Sequence, residues 1–257
     1  MDISTIIGLV TALVGIVGGL TIEGGNIFQI LQPTAAMIVL GGTVGAVMVQ
    51  FPLNTFMSAV KNGLQVVLPK TLNPGKIIEQ MVEFSNKARK EGIISLEGDA
   101  KNIQDEFMRK ALMMAIDGAD PKELKHTLET QLGYIDEAGG LLPKVWEAMG
   151  GYAPTIGIIG AVLGLIQVMG HLDNIEEVGH GIAVAFVATI YGVGFSNIVC
   201  LPAAGKLTLL HKKSIVIKEM IMEGVVLVIE GVNPMIMRDK LAGFFVEKLK
   251  ELEEAKK

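Results

Sequence analysis

Charge is missing from the places where this sequence is most apolar. No Asp, Glu, Lys or Arg falls between Asp2 and Glu23, between Glu23 and Lys61, between Glu147 and Asp173, or between Glu177 and Lys206. Ion paths and proton relays inside a membrane ordinarily carry a carboxylate or a basic group within the span, so these stretches hold no complete relay of their own. Cysteine is almost absent as well. The single Cys200 excludes an intramolecular disulfide and reads as a small packing residue. No P-loop, GxSxG, HExxH or cysteine pair is present, and the four histidines, His126, His171, His180 and His211, lack ligand spacing; neither an enzyme nor a metal site is expected. His180 lies at the outer edge of the last uncharged stretch and reads as an edge residue rather than a relay. A basic nucleic-acid patch is also missing, since Lys212-Lys213 is better explained as a juxtamembrane anchor. No β-rich segment and no repeat of about 20–50 residues stands out, which points to an all-α chain.

What is present is a chain of 257 residues, 50% hydrophobic and 19% charged, with a mean hydropathy of +0.49. Such averages suit a protein that is part membrane and part water-soluble. A membrane helix needs about 20 apolar residues, and the uncharged stretches supply four spans near 3–22, 34–52, 152–170 and 180–203. Gly24, Gly25, Asn26 and Pro33 read as the turn before the second. The first is expected to be a span and not a cleaved leader, because Asp2 is its only flanking charge.

All 22 Lys and Arg lie in two blocks, Lys61 to Lys144 and Lys206 to Lys257. The loops 23–33 and 171–179 have none. By the positive-inside rule both basic blocks, and with them both termini, are expected to be cytoplasmic. The organisation is then spans 1 and 2 (1–52), a cytoplasmic helical insert (53–149), spans 3 and 4 (150–203) and a cytoplasmic helical tail (204–257). Within the insert, Asn73-Pro74 starts a helix, with Ile77, Ile78, Met81, Val82 and Ala88 at helical spacing. Asp120-Pro121-Lys122-Glu123 starts another, with Leu124, Leu128 and Leu132 on one face, and Gly139-Gly140 with Pro143 are expected to break it. The helix after the fourth span is expected to run over 204–230, to stop at Asn233-Pro234, and to give way to a final amphipathic helix.

Small residues mark the spans: Gly8, Gly15, Gly18 and Gly19 in the first, Gly41 and Gly45 in the second, Gly157, Gly160 and Gly164 in the third. They let helix backbones approach closely where apolar side chains gain nothing by leaving lipid. Pro154 sits just inside the third span; it has no N–H and clashes with the carbonyl of Gly150, so a bend or flexible point is expected there. Polar residues at membrane depth are few: Thr5, Thr11, Thr43, Gln167, Thr189, Tyr191, Ser196 and Asn197. Thr189 either lines a path or donates to the carbonyl four residues back.

The segments Ala36–Gly45 (AMIVLGGTVG), Ala88–Asp99 (ARKEGIISLEGD), Tyr152–Leu165 (YAPTIGIIGAVLGL) and Ala183–Pro202 (AVAFVATIYGVGFSNIVCLP) resemble the MotA/TolQ/ExbB family. The likeness covers essentially the whole chain, and the four-span count favours the MotA branch, the flagellar stator channel subunits.

That resemblance implies a subunit of a bacterial inner-membrane complex, multi-pass, forming a ring of five around two copies of a single-span, peptidoglycan-binding MotB-type partner. The partner's aspartate would supply the carboxylate that these spans lack. Pro154 matches the proline beside that aspartate, and Pro234 resembles a second family proline that shapes the cytoplasmic helices. Arg89 and Glu97 match the charges that contact the rotor's switch-complex protein; the alternative is a pair of solvated surface charges. Sodium-type members place hydroxyls on both the third and fourth spans. Here Thr189 supplies one, but the other position is Ala161, so the translocated ion is expected to be a proton, with no cofactor. Two other readings stand beside this one: a TolQ/ExbB-like envelope energy transducer, and a membrane scaffold that conducts nothing.

Overall fold

The computed structural model describes residues 2–69, 73–170, 172 and 175–254. The loop residues His171 and Asp173 lie outside the described residues, as do the side chains of Glu176, Glu177 and His180.

Every regular element among the described residues is helical. Helix α1 (Ile3–Ile22) is capped by Asp2, whose carboxylate accepts from Ser4 N. A short α2 (Ile27–Ile30) follows the Gly24 turn, where φ is 81°, and opens on a capping box between Asn26 and Gln29. Then come α3 (Pro33–Gln50), α4 (Leu53–Gly63) and a 3₁₀ turn at Leu64–Val66. The expected starts hold. Asn73 caps α5 (Pro74–Glu91) through Gly75 and Lys76 N–H, with proline at the first position. Gly92, at φ 84°, ends α5 and leads into a 3₁₀ turn, Ile93–Leu96. After it come α6 (Glu97–Asn102) and α7 (Glu106–Ile116). Asp120 then accepts from Lys122 N ahead of α8 (Pro121–Met169).

One expectation fails here. Helix α8 does not break at Gly139-Gly140 or Pro143; it runs unbroken for 49 residues with Pro143 and Pro154 inside it. Gly139 is where the His211 imidazole lies against the backbone, in space a Cβ would occupy. That ring is fixed by Asp136, whose Oδ1 is 2.8 Å from His211 Nε2. The glycine thus makes room for a packed side chain instead of a turn.

Helix α9 (Ile175–Gly194) passes into a π-helical turn, Phe195–Cys200, and on into α10 (Leu201–Ile229). Gly231, at φ 67°, makes the turn before α11 (Pro234–Glu254), and Asn233 Oδ1 accepts from Met235 N. The stop expected at Asn233-Pro234 is there.

The chain forms two units, residues 1–69 with 140–208, and 70–139 with 209–257. The first contains four helices long and apolar enough to cross a membrane: α1, α3, the later part of α8, and the run that begins at Gly181 and continues into α10. Its surface is apolar. No residue of α1 is buried, and Ile7, Val14, Ile158, Leu163 and Ile166 are all exposed, which suits lipid as the surrounding medium. Ala35 and Val39 of α3 pack on Val187 and Ala188 of α9, and the Tyr191 hydroxyl donates to Ile30 O at 2.6 Å while accepting from Gln32 N. Lower in the same unit, Val47, Phe56, Ala59, Val145, Met149 and Cys200 form a second core, beside which Trp146 Nε1 donates to Ala59 O at 3.0 Å. Asp2 pairs with Lys206, and Asp2 N–H donates to Val67 O; the start of α1, the end of the second span's extension and the exit of the fourth span therefore meet at one end of the unit.

The other unit has an ordinary water-soluble interior. Ile77 and Met81 of α5, Phe107 and Leu112 of α7, Leu124 and Leu128 of α8, Met220 and Leu227 of α10, and Met237 and Leu241 of α11 share one core.

Candidate functional site

The third and fourth spans meet along glycine. A Cβ at Gly157 would stand 2.9 Å from Ala188 O and 3.4 Å from the Cα of Thr189; one at Gly192 would stand 2.5 Å from Ala153 O. Gly164 and Gly181 continue the contact, with each glycine's carbonyl where the other's side chain would be. The backbones are as close as they can pack, and any larger residue forces them apart. By contrast, a Cβ at Gly41 or Gly45 would meet nothing within 4 Å, so that pair makes no close contact within this chain.

Pro154 is half-buried in α8, three residues before Gly157, and so stands at one end of this contact. Ala161 lies one turn beyond Gly157 and is also half-buried. On α9, the backbone of Thr189 faces Gly157. Its hydroxyl donates to Ala185 O at 3.3 Å, which is the local bond that a threonine inside a helix commonly makes. The hydroxyl's lone pairs are left to accept from a donor or a cation. Pro154, Ala161 and Thr189 are thus brought to one helix pair. Thr43 of α3 is fully buried, and its Oγ1 has no partner among the described residues.

Two features of the fourth span escape sequence reasoning. The π turn at 195–200 leaves its backbone out of register with the helices on either side. From it Asn197 Nδ2 donates back to Val193 O of α9 at 2.9 Å, and Pro202 stands just beyond it. From the same turn, the Ser196 hydroxyl reaches across to α8 and donates to Gly150 O at 2.6 Å. Pro202 lies in the helical run at the end of the fourth span, whereas Pro234 opens α11 at a position where proline costs no helical hydrogen bond.

The charged segment lies in the other unit. Arg89 and Glu97 are both exposed, at the end of α5 and the start of α6. Glu97 is engaged: its carboxylate is 2.7 Å from Lys101 Nζ, and that hydrogen bond holds its pKa below the usual glutamate range. Lys87 pairs with Asp99 at 2.8 Å, which raises the lysine's pKa and pins α5 to α6 across the Gly92 turn. Arg89 has no ion pair among the described residues. Pro234 follows a turn fastened to α5, where the buried Ser85 hydroxyl donates to Val232 O at 3.2 Å.

Comparison with known proteins decides what this arrangement belongs to. Residues 99–220 match the MotA/TolQ/ExbB proton channel family, and residues 6–92 match the motility protein A N-terminal family. Motility protein A of Helicobacter pylori (strain ATCC 700392 / 26695) is 36% identical over 244 residues, 95% of each chain. That of Bacillus subtilis (strain 168) is 31% identical over 94% of this chain and 90% of its own.

The chain belongs to the MotA/TolQ/ExbB proton channel family.

A solved structure of C. jejuni MotAB is similar at a TM-score of 0.88 and 31% identity, covering 95% of this chain and 96% of that one. The all-α, four-span architecture is that of the family's stator members, and the function is that of a flagellar stator channel subunit in the inner membrane. The glycine contact between α8 and α9 lies inside the family match and brings the backbones of the third and fourth spans into close approach.

Proposed function

We propose that five copies of this chain form a ring around a MotB-type partner, that the partner's carboxylate carries a proton through the ring, and that the resulting movement turns the flagellar rotor. The observation that carries this is the pairing of two facts: the spans hold no ionisable Asp, Glu, Lys or Arg, and the fold is that of a chain solved as a MotAB complex. A proton path needs a titrating group; the partner is its source. Each proton releases about 2.3 kcal/mol per 100 mV of membrane potential.

Pro154 is the coupling point. It lies at the end of the tightest helix contact, in a span that its missing N–H loosens. Neutralising the partner's aspartate removes its attraction for the surrounding dipoles, the ring steps, and proton release to the cytoplasm resets it. The ion is a proton because dehydrated sodium needs several oxygen ligands; Thr189 offers one hydroxyl and Ala161 offers none. Both termini are cytoplasmic: the meeting of Asp2, Val67 and Lys206 at one end agrees with the distribution of Lys and Arg. Arg89 and Glu97 meet the rotor's switch-complex protein, Arg89 as the uncommitted charge.

The test is Pro154→Ala in the motile cell. Torque is lost while the complex with the partner still assembles, and exchanging external sodium for potassium at fixed pH leaves wild-type rotation unaffected. Normal swimming by the variant would refute the coupling role, and a stall in potassium would refute the choice of ion.

A further inference from the structure

We propose that Ser196 is a positioning residue for the third span at Pro154: its hydroxyl takes the backbone acceptor that the proline leaves without a donor, and ties the third span to the fourth at that point. The proposal rests on the reading that Pro154 couples proton uptake to movement.

In an α-helix each carbonyl accepts from the N–H four residues on. For Gly150 that residue is Pro154, which has none. Gly150 is buried, and a buried carbonyl without a donor is costly. Ser196 Oγ donates to it at 2.6 Å, and the serine is only 2% exposed, so water does not compete for either group. The usual habit of a hydroxyl residue inside a helix is to donate to its own helix four residues back. Thr189 and Thr208 do so, to Ala185 O and Ala204 O. Ser196 instead points across to another helix.

Two local features make that possible. Ser196 belongs to the π turn at 195–200, whose wider winding rotates its side chains out of step with the flanking α-helices. Gly150 has no side chain to keep the helices apart; a Cβ there would stand 2.6 Å from Leu201 Cδ2 and 3.4 Å from Cys200 Cβ. Proline, glycine, serine and π turn are therefore parts of one arrangement. The third span at Pro154 cannot move without carrying the fourth span through this bond, and the fourth span bears Thr189. The bond has a further property: it is needed only because residue 154 is proline. Pro154→Ala returns an N–H to the Gly150 carbonyl, and the serine becomes dispensable.

The experiment is a double-mutant cycle on the full-length chain co-produced with its single-span partner: wild type, Ser196→Ala, Pro154→Ala and both together. The thermal midpoint of each purified complex is measured, together with proton flux in reconstituted vesicles. Ser196→Ala lowers the midpoint and cuts flux on the order of tenfold, the factor one buried hydrogen bond carries. In the Pro154→Ala background the same change leaves the midpoint where it was. An equal midpoint loss in both backgrounds would overturn the proposal and make the serine an ordinary packing residue. If Ser196→Ala alone fails to assemble, the double variant must recover assembly; failure of both overturns it. Full flux and torque in Pro154→Ala would refute the coupling reading instead, and the midpoint comparison would still decide on the bond.

Discussion

At Gly157 a side chain of one carbon would meet Ala188 O at 2.9 Å, and at Gly192 it would meet Ala153 O at 2.5 Å. Both neighbours are backbone and cannot rotate away. Overpacking of this kind costs about 1–3 kcal/mol, so Gly157→Val and Gly192→Val should each lower the melting temperature of the assembled complex. An unchanged melting curve would show that the spans are not held at this contact. The spacing of Gly157, Gly160 and Gly164 was legible in the sequence as a close-approach face, because helical spacing is a local property. Its partner on α9 was not, since Gly181, Ala188 and Gly192 carry no mark of which helix they meet. Ser196 was less legible still. A serine in an apolar run looks the same whether it bonds its own helix or a carbonyl 46 residues away.

Among the helices and turns, the caps were readable and the interruptions were not. Asn73, Asp120 and Asn233 each bond backbone within three residues, so the signal and its consequence sit together in the sequence. Gly139-Gly140 and Pro143 looked like a stop by the same reasoning, yet α8 continues. Glycine in a helix costs about 1 kcal/mol, and burial of Leu128, Leu132, Val145 and Met149 on either side outweighs it. The π turn follows from tertiary packing and has no sequence signature of its own. At the α5–α6 corner, Lys87–Asp99 and Glu97–Lys101 are paired, while Arg89, like Lys90 and Glu91, has no ion pair among the described residues; the proposed rotor contact uses Arg89. Arg89→Ala should then lower torque strongly, whereas Lys87→Ala loosens an exposed corner and leaves torque near normal; the rotation speed of tethered cells distinguishes them, and the reverse ranking would contradict the assignment.

The same charges fix how the whole molecule responds to pH. The raised pKa of Lys87 means that its pair with Asp99 is fully present below about 10.5, the lysine's ordinary value, and is lost only as pH rises through the folded value. The lowered pKa of Glu97 makes its contribution present above the ordinary glutamate value and lost as pH falls through the folded one. Asp2 is held at about 2 by its hydrogen bond to Lys206, so the pair at the membrane edge is present above 3.8 and lost as pH falls through about 2. None of the three titrates between about pH 6 and 8. These three pairs should therefore leave assembly insensitive to pH across that range, measured as the elution profile of the purified complex. A break near neutrality that persists in His211→Gln would contradict this, whereas one that the substitution removes would belong to the His211–Asp136 contact. The division into a lipid-facing unit and a water-soluble one was legible from where the charges fall, because the bilayer excludes them so strongly. The partner's contribution was legible only as a gap.

That gap is the central claim: these spans hold no Asp, Glu, Lys or Arg, so the carboxylate that carries the ion comes from the partner. It is tested by proton flux into vesicles that contain this chain alone, this chain with the MotB-type partner, and this chain with the partner's membrane aspartate replaced by asparagine. Flux is predicted in the second preparation only. Flux through the chain alone, or through the asparagine complex, would contradict it.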